Sequence, residues 1–147
     1  MDRLPGSVLF ACSQNSIRSP MAEAVLKHYH GKRIFVDSAG LRAAPVDPFA
    51  VAVMAELGID LSRHRAKTFD DLTDSSFDLV ITMSPEAHHR AMEMTRTMAC
   101  DVEYWPMMDP SVAEGSREAV LEAYRAVRDD IMARILARFP LMASPSG

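Results

Sequence analysis

Cys12 and Arg18 are separated by five small or polar-to-moderate residues, Ser13, Gln14, Asn15, Ser16 and Ile17, and are followed at once by Ser19 and Pro20. In such a run the main-chain N–H groups can turn inward and form a nest for an anion. The planar fork of Arg18 suits two oxygens of a tetrahedral oxyanion. Helix N-termini and nearby arginines favour the thiolate, the nucleophilic form of cysteine, so Cys12 is expected to attack a phosphorus held above it. Ser19 can give its hydroxyl proton to that sulfur when it later leaves. A lone cysteine is more often an inert core residue. The chemical reading rests on the whole run, set between a strand and a helix.

The elements that must position this run are legible on both sides of it. Ser7–Ala11 is a short apolar run with the character of a buried strand. Ser19 and Pro20 carry the signal of a helix start, with Ser19 as N-cap, and Gly31 the signal of its end. A second strand is predicted over Arg33–Asp37, with Ser38-Ala39-Gly40 turning out of it, then a helix from Asp47-Pro48 to Gly58 with Phe49, Val53 and Leu57 on one face. A short helix is expected near Phe69, a third strand over Phe77–Thr82, and a Met-rich helix from Ser84-Pro85 to about Met98. Asp101–Trp105 reads as a fourth strand, and a last helix starts near Ser116 with Val120, Tyr124, Val127, Ile131 and Ile135 on one stripe. Strict alternation of strand and helix predicts an α/β domain: a doubly wound sheet of four parallel strands with helices on both faces. Ligands of such sheets bind beyond the carboxyl ends of the strands, so the loops after Ala11, Asp37, Thr82 and Trp105 are the ones to watch.

The 147 residues suit one domain spanning 1–147, with residues 1–6 and 141–147 expected to fray. A formal charge of −4 argues against a nucleic-acid partner. No apolar run is long enough for a signal peptide or a membrane span, so a cytoplasmic location and a reduced Cys12 are expected, with no membrane partner. The two cysteines, Cys12 and Cys100, cannot form a four-ligand zinc site, and the five histidines lack metal spacing, so no metal and no cofactor are expected. His88 and His89 read as solvated helix residues. The methionines from Met92 to Met98, with Met107 and Met108, read as core filling, and Tyr104 and Trp105 as core.

The stretch Val8-Leu9-Phe10-Ala11-Cys12-Ser13-Gln14-Asn15-Ser16-Ile17-Arg18-Ser19-Pro20-Met21-Ala22-Glu23-Ala24 closely resembles the signature of the low-molecular-weight protein tyrosine phosphatases. Asp37-Ser38-Ala39-Gly40, Asp47-Pro48, Gly58-Ile59-Asp60-Leu61-Ser62, His64-Arg65-Ala66, Phe77-Asp78-Leu79-Val80 and Asp109-Pro110 follow in the family's order. The resemblance implies that Cys12 forms a cysteinyl-phosphate, that Arg18 clamps the phosphate, and that Asn15 holds the loop through Ser19, Ser38 and His64. It implies Asp109 as general acid. Chemistry asks for one there too, since cleavage leaves an alkoxide or phenoxide and a positioned acid contributes roughly 10²–10⁴-fold. An acidic pH optimum follows from that role. The expected catalytic set is therefore Cys12, Arg18 and Asp109, supported by Ser13, Gln14, Asn15, Ser16, Ile17, Ser19, Ser38 and His64. The expected partners are a phosphorylated protein or small aryl phosphate, and inorganic phosphate.

Several residues depart from the family pattern. Gln14 stands where a glycine is usual, a residue that permits close backbone approach. Ile17 replaces a second loop cysteine, which leaves Cys12 open to over-oxidation unless Cys100 bridges to it. Leu41-Arg42-Ala43-Ala44 and Ser111-Val112-Ala113 lack the aromatic walls that stack on a phosphotyrosyl ring, and Ser84 replaces an acid. Two other readings share the loop. An arsenate reductase of the thioredoxin-coupled type needs two further cysteines, whereas one using a small-molecule thiol needs only Cys12. A non-catalytic phosphate or phosphoprotein binder would have no use for Cys12 and Asp109 together.

Overall fold

The structure, a computed structural model, describes residues 4–72 and 76–141. Of the ends expected to fray, 1–3 and 142–147 lie outside the described residues. Gly6 donates its amide to Asp78 Oδ2 at 2.8 Å, and Leu4 packs against the core.

Four strands, β1 (Ser7–Cys12), β2 (Phe35–Gly40), β3 (Leu79–Thr82) and β4 (Asp101–Tyr104), form one parallel sheet in the order β2-β1-β3-β4. β1 is central, and the winding reverses across it, so the end of β1 is the switch point of the sheet. From Val8 to Cys12 the strand is buried on both faces, as parallel strands covered by helices are. Its two-residue period divides it. Val8, Phe10 and Cys12 join the cluster under α1 (Arg18–His30), α2 (Pro48–Ala55) and α4 (Arg117–Arg138), whereas Leu9 and Ala11 join the cluster under α3 (Pro85–Met94). Cys12 therefore ends its strand facing the side from which α1 departs.

Helix starts at α2, α3 and α4 follow their sequence signals: Asp47, Ser84 and Ser116 each accept a hydrogen bond from a first-turn amide. The first helix differs. α1 begins at Arg18, its N-cap is Ile17, and no side chain caps it, so Ser19 is not the cap. The loop itself sets the start, and the Ser19 hydroxyl turns toward Cys12 instead. β2 also runs later than expected. Ser38, Ala39 and Gly40 do not turn out of the strand but pair with Phe10, Ala11 and Cys12. α3 stops at Met94 rather than Met98.

The core faces shift as well. α2 buries Ala50, Val53 and Met54, while Leu57 is exposed, and Gly58, at φ +75°, ends the turn in the left-handed region. α4 buries Leu121, Tyr124, Arg128, Ile131 and Ile135, with Val120 and Val127 only partly covered. Met94 is buried, but Met92 and Met108 are exposed, so core filling accounts for part of the Met set only. Trp105 is buried and Tyr104 exposed. His88 is not simply solvated: its Nδ1 lies 2.9 Å from Thr82 Oγ1 and its ring stacks on Tyr104. His89 is exposed. Among the described residues no helix is long and apolar enough to cross a membrane.

Candidate active site

Residues 13–17 leave the carboxyl end of β1 and return into α1. Their carbonyls point outward: Ser13 O accepts from the amides of Leu41 and Arg42 at 3.0 Å, Gln14 O from Ala44 at 3.1 Å, and Ser16 O from Asp47 at 3.0 Å. With the carbonyls turned out, the amides are left to face in, and among the described residues those of Ser13 to Arg18 have no protein acceptor. A ring of unpaired N–H groups at an uncapped helix start is an anion cradle. Cys12, Gln14, Ser16, Ile17, Arg18 and Asp109 line the small cleft over it.

Asn15 holds the loop's shape. It is fully buried and, at φ 54°, is the sole non-glycine residue with positive φ among the described residues. Asparagine tolerates that conformation better than most residues. Its Nδ2 donates to Ser19 Oγ and Ser38 Oγ, both at 2.9 Å, and its Oδ1 accepts from the Lys67 amide at 3.0 Å. His64 Nε2 lies 3.1 Å from the same Oδ1 and 3.2 Å from the Asn15 carbonyl. Both partners are acceptors, so Nε2 carries the proton. Burial holds the His64 imidazole below its ordinary value, against the opposing pull of the Glu23 carboxylate. Glu23 in turn accepts from Ser38 Oγ and pairs with Lys27.

Ser19 Oγ stands 2.9 Å from Cys12 Sγ, so the Asn15 amide orients the hydroxyl that faces the sulfur. Arg18 is buried at the opposite wall. Its Nη1 donates to the carbonyls of Met107 at 3.0 Å and Met83 at 3.4 Å. Met107 reaches that point because Trp105 and Met107 prolong the β-ladder, donating to Thr82 and Met83. Asp109 Oδ2 lies 4.0 Å from Arg18 Nη2, while its Oδ1 accepts from the amide and hydroxyl of Ser111. Asp109 is thus both the cap of a short turn (Pro110–Val112) and a carboxylate over the cleft.

All eleven expected site residues are gathered at this sheet edge. Some of their settings differ from expectation. Gln14 does not occupy the position that demands glycine: its φ is not positive, and its side chain is exposed. The close approach is made by Gly40, where a Cβ would sit 2.8 Å from Asn15 N and 2.7 Å from Arg42 O. Ser84 caps α3 and accepts from Ser13 Oγ at 3.0 Å. Among the described residues no aromatic ring lines the cleft.

Sequence reasoning missed Gly40, Glu23, Lys67 and Asp47 as supports. Asp47 links three parts, since its amide donates to Ser16 O, its Oδ1 caps α2 and its Oδ2 accepts from the Tyr124 hydroxyl at 3.0 Å. Its cap signal was visible, but the long-range partners were not. Cys100 precedes β4 at the amino edge of the sheet, level with Ser7 by register. Five residues of strand rise and two strand spacings put it roughly 15 Å or more from Cys12, against an upper limit of about 7 Å between the Cα atoms of a disulfide. A Cys12–Cys100 bridge is therefore excluded in this fold. Burial, with Asp101 beside it, pushes the Cys100 thiol up, away from reactivity.

Residues 7–138 match the model of the low molecular weight phosphotyrosine protein phosphatases, and the chain belongs to that family. An arsenate reductase of Halalkalibacterium halodurans is 39% identical over 129 residues, covering 87% of this chain and 91% of that protein. Further relatives carry the same name. A solved structure of an arsenate reductase in its phosphate-binding state superimposes with a TM-score of 0.70 at 29% identity, covering 90% of this chain and 95% of the other. The low molecular weight protein tyrosine phosphatase of T. tengcongensis does so at 0.71 and 29%, covering 88% and 94%.

Proposed function

We propose that this protein hydrolyses phosphate monoesters through a cysteinyl-phosphate on Cys12. The observation that carries the reading is the cleft itself: a sulfur at the floor of inward-facing amides, an arginine on one wall and a carboxylate above. In the first step the Cys12 thiolate attacks phosphorus, the bond to the leaving oxygen breaks, and Asp109 gives that oxygen its proton. In the second, water attacks phosphorus, Asp109 takes the proton, and the S–P bond breaks with Ser19 donating to the departing sulfur. Arg18 and the loop amides hold the equatorial oxygens throughout. The lack of an aromatic ring among the residues lining the cleft supports phosphate monoesters in general over a site dedicated to phosphotyrosine.

The relatives' names favour a second reading, reduction of arsenate, more than they favour phosphotyrosine hydrolysis. In that chemistry the Cys12 thiolate binds arsenic and expels water. An external thiol then attacks the sulfur, arsenic(V) leaves as arsenite with two electrons, and a second thiol molecule frees Cys12 from the mixed disulfide. The external thiol is required because Cys100 is out of reach, so an internal disulfide relay has no second partner.

One pair of assays separates the readings. Turnover of an aryl phosphate, lost in Cys12→Ser and highest at acidic pH, supports hydrolysis. Arsenate-dependent oxidation of a small-molecule thiol, with no aryl phosphate turnover, would establish the reductase reading in its place.

A further inference from the structure

A second electropositive depression lies behind the loop, between α1 and the segment 58–67. Lys27, His28, Arg63, His64, Arg65 and Lys67 line it, against only Glu23 and Asp60. Four of the chain's sixteen lysines and arginines thus converge on one groove of a protein whose formal charge is −4. The two acids are already engaged: Glu23 with Ser38 and Lys27, and Asp60 with the amide and hydroxyl of its neighbour Ser62. Lys67 pairs with Asp37 at 2.6 Å. The two arginines are not so engaged. Among the described residues Arg65 has no hydrogen bond or ion pair, and Arg63 acts on Asp60 only through space.

We infer that this groove binds a small ligand carrying two or more phosphate groups, at a site separate from the catalytic cleft. Arg63 and Arg65, both exposed and two residues apart in sequence, line the same groove, and a guanidinium offers the planar donor pair that suits a tetrahedral oxyanion. Lys27 faces them from α1. A single orthophosphate can meet only one guanidinium fork, too weak a contact to register at matched concentration, whereas a di- or triphosphate has oxyanions for both. The floor touches the catalytic loop, since His64 and the Lys67 amide both bond Asn15 Oδ1. An occupant of the groove therefore sits one side chain away from the residue that shapes the cradle. This goes beyond the proposed function and does not need Cys12 chemistry.

Residue-resolved NMR of the intact chain, titrated with inorganic tripolyphosphate, tests it. The loop amides from Ser13 to Arg18 report the cleft, and the Ile59 and Leu61 amides with the Arg63 and Arg65 Nε–H groups report the groove. The expected result is saturable shifts at both sets with tripolyphosphate but at the loop set alone with orthophosphate. In the variant Arg63→Glu/Arg65→Glu, the response of Ile59 and Leu61 should weaken by roughly 10-fold or more, as loss of charge-assisted hydrogen bonds implies, with the loop response and aryl phosphate turnover retained. Groove resonances that stay fixed in the wild type, or shift equally in the charge-reversed variant, would overturn the site. Equal binding of an oligoglutamate of matched charge would overturn the assignment to phosphate.

Discussion

The two walls of the cleft are built in opposite ways. The cradle from Cys12 to Ser19 is buried except at Ser13 and Gln14, its carbonyls are tied to the 41–47 segment, and its pivot Asn15 has four partners from across the chain. The acid side is a loop whose carboxylate is half-exposed, bonded mainly to its own next-but-one neighbour, and flanked by the exposed Met108 and Val112. A group that must fix an oxyanion gains from a frame assembled before substrate arrives. A group that must exchange a proton first with a leaving oxygen and then with water gains from access to both. Damage to the residues that frame the cradle should therefore appear as lost stability, and damage to the acid loop as lost activity with the fold intact.

Asp109→Asn gives the largest contrast. Asparagine keeps the turn cap, so unfolding midpoints should stay within about 0.5 kcal/mol of wild type, while turnover of substrates with poor leaving groups falls roughly 10²–10⁴-fold. Equal losses for good and poor leaving groups would remove Asp109 as the acid. Asn15→Ala should do the reverse to the fold. Buried partners lose their bonds at about 1–3 kcal/mol each where left unsatisfied, and denaturant unfolding should show a destabilisation of several such units. A variant as stable as wild type would mean the loop is held by something else. Gly40→Ala forces a methyl against Asn15 N and Arg42 O, for an expected cost of about 1–3 kcal/mol, and neutral behaviour there would show that the strand end can retreat.

A smaller effect should come from His64. Its lowered value means that the folded state favours the neutral ring. The stability this provides is complete above the unfolded value near 6.5 and is lost as pH falls through the lower folded value. Denaturation midpoints of the wild type should drop between pH 7.5 and 5.5 more steeply than those of His64→Gln, and parallel slopes would contradict the assignment. Least of all, Met108→Gln should change stability by no more than about 0.5 kcal/mol, since the side chain is 76% exposed.

Much of this contrast was legible in the sequence, but unevenly. The loop and its flanking strand were readable because Cys12, Arg18 and Ser19 are local to one another and the apolar period of β1 is strong. The start of α1 was misplaced because Ser19-Pro20 carries an ordinary cap signal, and nothing local announces that the helix begins uncapped at Arg18. Gly40 was read as part of a turn because a glycine's need for close approach depends on what passes over it, here residues 14 and 15. Glu23 and Lys67 carry no local signal for their roles, since their partners lie 15 and 52 residues away. His88 was read from exposure statistics, and only the fold brings Thr82 and Tyr104 to it.

The central claim is that the inward amides and Arg18 seat a tetrahedral oxyanion directly over Cys12. The rate of Cys12 alkylation by iodoacetate, followed by mass spectrometry with and without inorganic phosphate, tests it most directly. Fast modification that phosphate suppresses at Cys12, while Cys100 remains slow and indifferent, is the predicted result. A Cys12 rate equal to that of Cys100, or one that phosphate leaves unchanged, would contradict it.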